Sequence, residues 1–416
     1  MNNINQQEII DRKIVNDTTY NLVLCKDNGM KMKLWIPDYL MTNAKADENN
    51  RKSAEQNVPR PTSPQKNISS LEDKVNQIYS QLSRANDTEL LELQKQIVKL
   101  NLKDLPTSQK SEINTMIVKM MRDYKTTQKT SPQLVQKLRQ NILREEMVNK
   151  RRDQLSVLFC LEKEINLVAK CRKKITVENF VDLELLPFDF SYINANIAGA
   201  DVSFLKHPPI GCDCIGKRIC LLNNCCPEMF NSQPTYNEDG QVMIPSNMPI
   251  YECNKNCKCS KSCANRIVQR GSNIKFIIFR TEDHEWGVQA AQSIKKGTFV
   301  VEYVGEIVKR NQIDQFHHEE KQNHYLFDLN FNKEDCLYTI NSWKHGNISR
   351  FIGHSCAPNL HAYSVWIDSS DPNIYHVALF ASQDICNGEK LTFLHKNTSV
   401  SNNCKCDSCK VIVFQF

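Results

Sequence analysis

Apolar residues fall along this chain in distinct rhythms, each of which predicts a different kind of structure. Residues 8–41, EIIDRKIVNDTTYNLVLCKDNGMKMKLWIPDYLM, carry short β-like runs at Ile9–Ile10, Ile14–Val15 and Leu22–Leu24 before Trp35 and Pro37. They predict a small β-rich module over 1–41. From 42 to 67 the chain has almost no large apolar residue and three prolines, so it lacks the surface to bury and reads as a disordered linker. Between Ser69 and about Val168 apolar residues recur at helical spacing, as at Leu71, Val75, Ile78 and Leu82, and again at Leu134, Leu138 and Ile142. This predicts a helical region over 68–174, broken near Pro106 and Pro132, whose apolar stripe is assigned to core packing in preference to a coiled coil or partner surface. After Lys174 the texture turns to ITVENFVDLELLPFDFSYINANI, rich in β-branched and aromatic residues, and it stays strand-like from there on.

A length of 416 residues allows two or three domains. Lys and Arg exceed Asp and Glu by 53 to 47, a mild excess that leaves nucleic-acid affinity to local patches. The basic clusters at 144–152 (REEMVNKRR) and 170–174 (KCRKK) are read as solvated helix faces. No run of eighteen apolar residues occurs and the first residues are polar, so neither membrane spanning nor secretion is expected.

Cysteine changes the picture most. Eighteen cysteines without an export signal point to metal in preference to disulfides. Nine lie close together: Cys212, Cys214, Cys220, Cys225, Cys226, Cys253, Cys257, Cys259 and Cys263. Zinc takes four sulfurs at about 2.3 Å, so nine thiolates satisfy three ions when three sulfurs bridge. Lys217, Arg218, Lys255, Lys258, Lys261 and Arg266 stand among the ligands to offset the thiolate charge, and no position is left open to water, which marks a structural cluster. Cys404, Cys406 and Cys409 need a fourth ligand, which Cys356 supplies. Cys25, Cys160, Cys171, Cys336 and Cys386 are scattered and read as ordinary buried thiols.

The nine-cysteine arrangement is followed by Ala264-Asn265-Arg266-Ile267-Val268-Gln269-Arg270-Gly271 and then by four further motifs. These are Glu285-Trp286-Gly287-Val288, Glu302-Tyr303-Val304-Gly305-Glu306, Tyr325-Leu326-Phe327-Asp328, and Asn347-Ile348-Ser349-Arg350-Phe351-Ile352-Gly353-His354-Ser355-Cys356. In this order they resemble the suppressor-of-variegation class of SET-domain histone-lysine methyltransferases over residues 175 to 416.

The resemblance implies a mainly β SET fold, with small curved sheets around a knot-like crossing in which 348–356 threads under the strand near Leu391–Phe393. It further implies a pre-SET module with three zinc ions on nine cysteines over 175–271, a catalytic SET domain over 272–397 and a post-SET zinc tail over 398–416, four zinc ions in all. S-adenosylmethionine would be held by Glu285, Trp286, Gly287, Tyr325, Arg350, Gly353 and His354, with catalysis at Tyr325, Phe393 and His395. The substrate implied is the histone H3 tail of the nucleosome, at the lysine in ninth position. The implied setting is the nucleus, on heterochromatin, with heterochromatin proteins as further partners, no membrane and only local nucleic-acid contact. Methyl transfer needs sulfur, methyl and nitrogen in line, and a neutral amine although free lysine has a pKa of about 10.4, so a dry aromatic channel suits it.

Three departures qualify what the resemblance implies. Gly353 stands where the class has an asparagine, and a lost amide weakens cofactor binding by about 1 kcal/mol when it pairs a buried group. His395, in Phe393-Leu394-His395, stands where the class has its catalytic tyrosine, and is expected to titrate near neutral pH. The interval from Cys406 to Cys409 is short for the class. Two functions therefore compete: a methyltransferase, and a catalytically reduced SET protein that binds chromatin or scaffolds partners. A nucleic-acid-binding zinc protein is disfavoured because the ligands close into a cluster without a finger helix. The module over 1–41 resembles a chromodomain, but Cys25 occupies the place of a cage tryptophan and no aromatic precedes Glu8, so it is not expected to recognise methylated lysine.

Overall fold

The computed structural model describes residues 8–15, 18–27, 30–37, 66–84, 87–169, 174–187, 190–202, 211–215, 220, 234–315, 324–331, 336–369, 371–395, 406 and 409. Two units separate, Met1–Leu82 and Ser83–Phe416. The first holds an antiparallel meander of β1 (Glu8–Val15), β2 (Thr18–Asp27) and β3 (Met30–Pro37), with Leu22 opposite Trp35 and Cys25 opposite Met32, and a helix α1 (Lys66–Leu82). Most of the expected linker lies outside the described residues.

The second unit begins with helices α2 (Asp87–Ile97), α3 (Lys110–Thr127) and α4 (Pro132–Val168), the last with a proline in its first turn, where no intrahelical N–H is required. Along α4 the buried positions include Leu138 and Ile142 on one face and, further along, Leu158, Leu161 and Ile165 on another. Leu158, Leu161 and Ile165 join one core with Ile175, Val177, Phe276, Ile278, Val288 and Phe393. The C-terminal part of α4 is thus core packing, continuous with the β half.

Within the basic run on α4 the reading as a solvated face is corrected at Arg151, which is completely buried. Its Nε donates to Leu100 O at 3.1 Å, and its Nη1 to Gln154 Oε1 at 2.6 Å and Asn179 O at 2.7 Å. A buried guanidinium is tolerated only with such acceptors, and the two backbone carbonyls among them lie 28 and 51 residues from it in sequence.

The β half is a set of small sheets. β4 (Ile175–Glu178) runs parallel to β8 (Phe276–Arg280), which pairs with β9 (Trp286–Ala290). β5 (Ser191–Tyr192) and β6 (Ile197–Ala198) extend other sheets, and β7 (Ile250–Tyr251) lies parallel to the end of β16 (Leu360–Trp366). β10 (Phe299–Tyr303), β17 (His376–Ala381), β16, β18 (Thr392–Phe393) and β15 (Gly353–His354) form the next sheet in that order. β12 (Leu326–Asp328), β13 (Tyr338–Asn341) and β11 (Glu306–Lys309), followed by a short α5 (Arg310–Gln315), make a further sheet with β6, while β14 (His345–Gly346) pairs with β5. β18 is inserted between β15 and β16, parallel to both, which brings 353–354 beside the strand near Leu391–Phe393 as the resemblance implies.

Truncating Ile165 to Ala, at 1 % exposure in the shared core, is expected to cost about 2–5 kcal/mol. Thermal unfolding followed by helical circular dichroism and by tryptophan fluorescence should shift together. Two separate transitions, with only the helical one displaced, would show that α4 folds apart from the β half.

Candidate active site and metal centres

The cysteine cluster is positioned by a buried carboxylate. β7 leads into Glu252, 2 % exposed, which accepts from Tyr236 Oη at 3.0 Å, Val268 N at 2.7 Å and Gln269 Nε2 at 2.8 Å, and Cys253 follows directly. Cys212, Cys253, Cys257 and Cys259 bring their sulfurs within 4.8 Å of one another, as do Cys220, Cys253, Cys259 and Cys263, and Cys212, Cys214 and Cys220. Cys212, Cys220, Cys253 and Cys259 each fall in two of these groups, as bridging ligands must. Cys225 and Cys226 lie outside the described residues.

The donor set fits zinc. Four sulfurs at about 2.3 Å from a tetrahedral ion stand about 3.8 Å apart, and Cys212–Cys220 and Cys253–Cys263 are each separated by 3.8 Å, far beyond a disulfide bond. The sulfurs are also met by N–H donors, as thiolates require: Asn254 N at 3.2 Å and Cys212 N at 3.4 Å on Cys257, Asn265 Nδ2 at 3.6 Å on Cys253, and Arg266 Nη2 at 3.7 Å on Cys259. Hydrogen bonding from Cys253 draws the Cys263 thiol down, against its burial.

A second cluster brings possible ligand atoms of His354, Cys356 and Cys406 within 4.8 Å of one another, with Cys409 N donating to Cys406 O nearby, while Cys404 lies outside the described residues. The His354 ring argues against ligation by nitrogen. Its Nδ1 accepts from His395 N–H at 3.2 Å, so in the neutral ring Nε2 holds the proton and points it at Cys356 Sγ, 3.5 Å away. Burial, with His324 close by, lowers the His354 pKa and keeps that neutral form. His354 therefore serves the thiolate as a donor.

The segments expected to hold cofactor meet along 388–393. On one side Leu391 N donates to Val288 O at 2.8 Å and Ala290 N to Glu389 O at 3.0 Å. On the other, Gly353 pairs with Thr392, and His354 with Phe393. Trp286 starts β9 opposite Arg280, whose guanidinium carbon is 5.6 Å from the indole centroid. Glu285 O accepts from Thr281 N at 2.8 Å, closing the preceding turn. A methyl group on Gly287 would stand 3.3 Å from Phe279 and Thr281 side-chain carbons, so glycine lets the hairpin pack. At Gly353 an added Cβ would meet only the Lys390 side chain, at 3.6 Å.

A second group gathers around Tyr325. Arg350 is buried, donates from Nε to Ser342 O at 3.0 Å and from Nη2 to Trp343 O at 2.9 Å, and lies over Phe190, Tyr325 and Phe351 at 4.2, 4.7 and 4.9 Å. It braces the ring of Tyr325, which also meets Trp343 edge-on at 5.0 Å.

The reading by motifs did not single out Tyr303 or Phe327 for a role. Tyr303 lies 5.4 Å from Phe327 and 5.8 Å from Phe393, and its hydroxyl sits between Ser342 Oγ at 2.8 Å and Tyr325 O at 3.0 Å. Burial raises its pKa, so it is a neutral phenol. The signal was present, since both residues stand inside quoted motifs, but one aromatic in a strand reads equally as core.

His395 corrects an expectation. Its ring is 4.1 Å from Phe393, its Nε2 donates to Ile352 O at 3.2 Å, and burial together with His354 and His324 lowers its pKa to about 4. It does not titrate near neutrality. The unfolded chain takes up this proton near 6.5 and the folded chain only near 4, so stability is full above about 6.5, falls as pH drops toward 4, and then levels. Urea unfolding between pH 7 and 4 should show that slope flattened in His395→Phe; an unchanged slope would mean the imidazole is not held neutral.

Comparison with known proteins places these features in context. The SET domain family matches residues 285–396 and the Pre-SET motif residues 168–266. Histone-lysine N-methyltransferase SUV39H1 of Xenopus laevis is 44% identical over 228 residues, 53% of this chain and 52% of that one. SUV39H2 of Xenopus tropicalis is 40% identical over 235 residues, 56% of this chain and 57% of that one. The chain thus spans just over half the length of these curated relatives. The structure of the Neurospora SET domain protein DIM-5, a histone lysine methyltransferase, superposes with a TM-score of 0.51 and 31% identity, covering 56% of this chain and 99% of that one.

Proposed function

Because this chain belongs to the SET-domain histone-lysine methyltransferases of the suppressor-of-variegation class, we propose that it methylates the histone H3 tail from S-adenosylmethionine, at the lysine in ninth position, and does so slowly. The observation that carries the reading is the convergence of β9, which begins at Trp286 and bonds through Val288 and Ala290, and of β15, Gly353–His354, on residues 389–393 just before His395. S-adenosylmethionine supplies the electrophilic methyl carbon on its sulfonium. The aromatic faces of Trp286 and Tyr325 suit a cationic sulfonium, and the backbone of Trp286–Gly287 and Gly353–His354 would hold the rest. Glu285 shapes the turn before Trp286, and Arg350 fixes Tyr325.

Tyr303, Tyr325, Phe327 and Phe393 would wall the lysine stem and exclude water, which favours the neutral amine. His395 contributes little as a base. With Nε2–H given to Ile352 O, Nδ1 is the ring's acceptor, and a group with pKa near 4 draws a proton poorly from an ammonium of about 10.4. The pre-SET cysteines would hold three zinc ions, and Cys356, Cys404, Cys406 and Cys409 the fourth. The corresponding setting is heterochromatin in the nucleus.

A second reading, a chromatin-binding SET protein without turnover, is favoured by the same Nε2 bond to Ile352. Label transfer by the zinc-loaded full chain to an H3 peptide, and to one with arginine in ninth position, separates the two when run beside calorimetric cofactor titration. Slow labelling of the first peptide alone is expected. Cofactor binding without labelling of either makes the chain a binding protein.

A further inference from the structure

The turn that precedes Trp286 contains the strained residue His284, whose φ of 59° puts a side chain in the left-handed region that glycine prefers. His284 is 64 % exposed at its side chain, so packing does not impose this conformation. Bonds from Thr281 N to Glu285 O and from His284 N to Thr281 O close the turn, and one carboxylate anchors the His284 side chain. Asp182, 7 % exposed, accepts from His284 Nδ1 at 2.9 Å, Arg280 Nε at 2.9 Å, Asn179 Nδ2 at 2.8 Å and Glu184 N at 3.0 Å. Burial disfavours its charge, but these bonds from Asn179, His284, Arg280 and Glu184 prevail and hold its pKa at about 2, so it is a carboxylate at any physiological pH.

Asp182 is itself fixed from behind by α4. Gln154 Nε2 donates to Asp182 O at 3.0 Å and to Glu184 O at 2.9 Å, and Arg151 Nη1 to Asn179 O at 2.7 Å. On its other side, Arg280 is the cross-strand partner of Trp286 and lies over its indole. A continuous polar path therefore runs from a helix outside the SET motifs to the aromatic residue at the head of the cofactor segment.

The geometry points to Asp182 as a positioning residue for cofactor binding: it pins His284 in the left-handed conformation and Arg280 against Trp286, so that α4 sets the shape of the turn. This rests on the proposal that S-adenosylmethionine binds at Trp286–Gly287. Asp182 lies within the Pre-SET match but more than a hundred residues before Trp286, so residue order does not link the two.

The test uses the zinc-loaded full chain, S-adenosylmethionine titration by calorimetry, and amide hydrogen exchange over 276–290. Asp182→Asn should weaken cofactor binding about tenfold, the loss expected of charge-assisted hydrogen bonds, and speed exchange in the 281–286 turn. Because Asp182 is buried and its variant is at risk of misfolding, the exposed His284 gives the second arm. His284→Ala keeps the unfavourable φ without the carboxylate bond and should weaken binding, whereas His284→Gly should stay within about twofold of wild type. Adding His284→Gly to Asp182→Asn should recover part of the affinity, which a purely structural role for Asp182 would not allow.

Equal exchange and equal affinity in Asp182→Asn, His284→Ala and wild type would overturn the assignment. If wild type itself fails to bind S-adenosylmethionine, the cofactor reading fails and the positioning role falls with it, whereas unchanged turn exchange alone removes Asp182 and leaves cofactor binding standing.

Discussion

Chelating zinc from the full chain is expected to abolish cooperative folding of the half that begins at Ile175. Elemental analysis before chelation should give close to four zinc ions per chain, three in the cluster of nine cysteines and one at Cys356, Cys404, Cys406 and Cys409. Structural zinc contributes about 10–16 kcal/mol of apparent folding free energy per site in small zinc modules, comparable to the whole net stability of about 5–15 kcal/mol of a domain. The loss would spread beyond the cluster. Ile250 lies in β7, which pairs with β16, and it packs with Tyr236, Phe299, Val365 and Phe380, while the fully buried Glu252 ties Cys253 to Val268 and Gln269. Releasing the thiolates would free this carboxylate's partners together with the sheet edge. A zinc count near one, or intact disulfides by mass spectrometry, would remove the cluster assignment.

Restoring the two residues that depart from the class is expected to raise turnover on H3 peptide by about 10²-fold to 10³-fold, the usual effect of one well-placed polar group at a reaction centre. The comparison runs through wild type, His395→Tyr and Gly353→Asn/His395→Tyr. Gly353 has no positive φ and an added Cβ meets only the Lys390 side chain at 3.6 Å, so asparagine enters β15 without backbone strain. His395 already lies against Phe393, and a phenol there would supply a neutral hydroxyl where the imidazole spends Nε2 on Ile352 O. His395→Tyr alone should help less if cofactor affinity limits the rate, and calorimetry on the three proteins would show that limit directly. Cofactor binding with no methylation in any of the three would defeat the enzyme reading. Wild-type turnover equal to the double variant would show that His395 is a competent replacement.

Some of this was legible from residue order alone because the chemistry is local or stoichiometric. A zinc cluster needs a fixed number of sulfurs, so cysteine count and spacing carry it without coordinates, and the seven pre-SET cysteines that are described do come together. The helical stripe through Leu138 and Ile142 follows from a 3.6-residue period, as the strands over 276–290 follow from the β-branched and aromatic texture after Lys174. The SET motifs were legible for a different reason, namely that their order along the chain is itself specific.

What the tertiary structure decided are properties that depend on neighbours distant in sequence. Arg151 sits in a basic run that reads as a wet helix face, yet it is buried because Leu100 O and Asn179 O are waiting for it. His395 has the composition of a near-neutral titrating group, and stays neutral only because burial, with His354 and His324 close by, lowers its pKa more than the bond to the Ile352 carbonyl raises it. His354 reads from the sequence as a cofactor contact, and only the fold shows that the His395 N–H claims its Nδ1 and turns Nε2 into a donor toward Cys356. Asp182 lies within the Pre-SET match, yet nothing in residue order ties it to Trp286. Covalent sequence determines which groups are available and how many ions they can hold, whereas burial, tautomer and hydrogen-bond partner are set by elements that meet only after folding, and these decide the charge and reach of each group at the site.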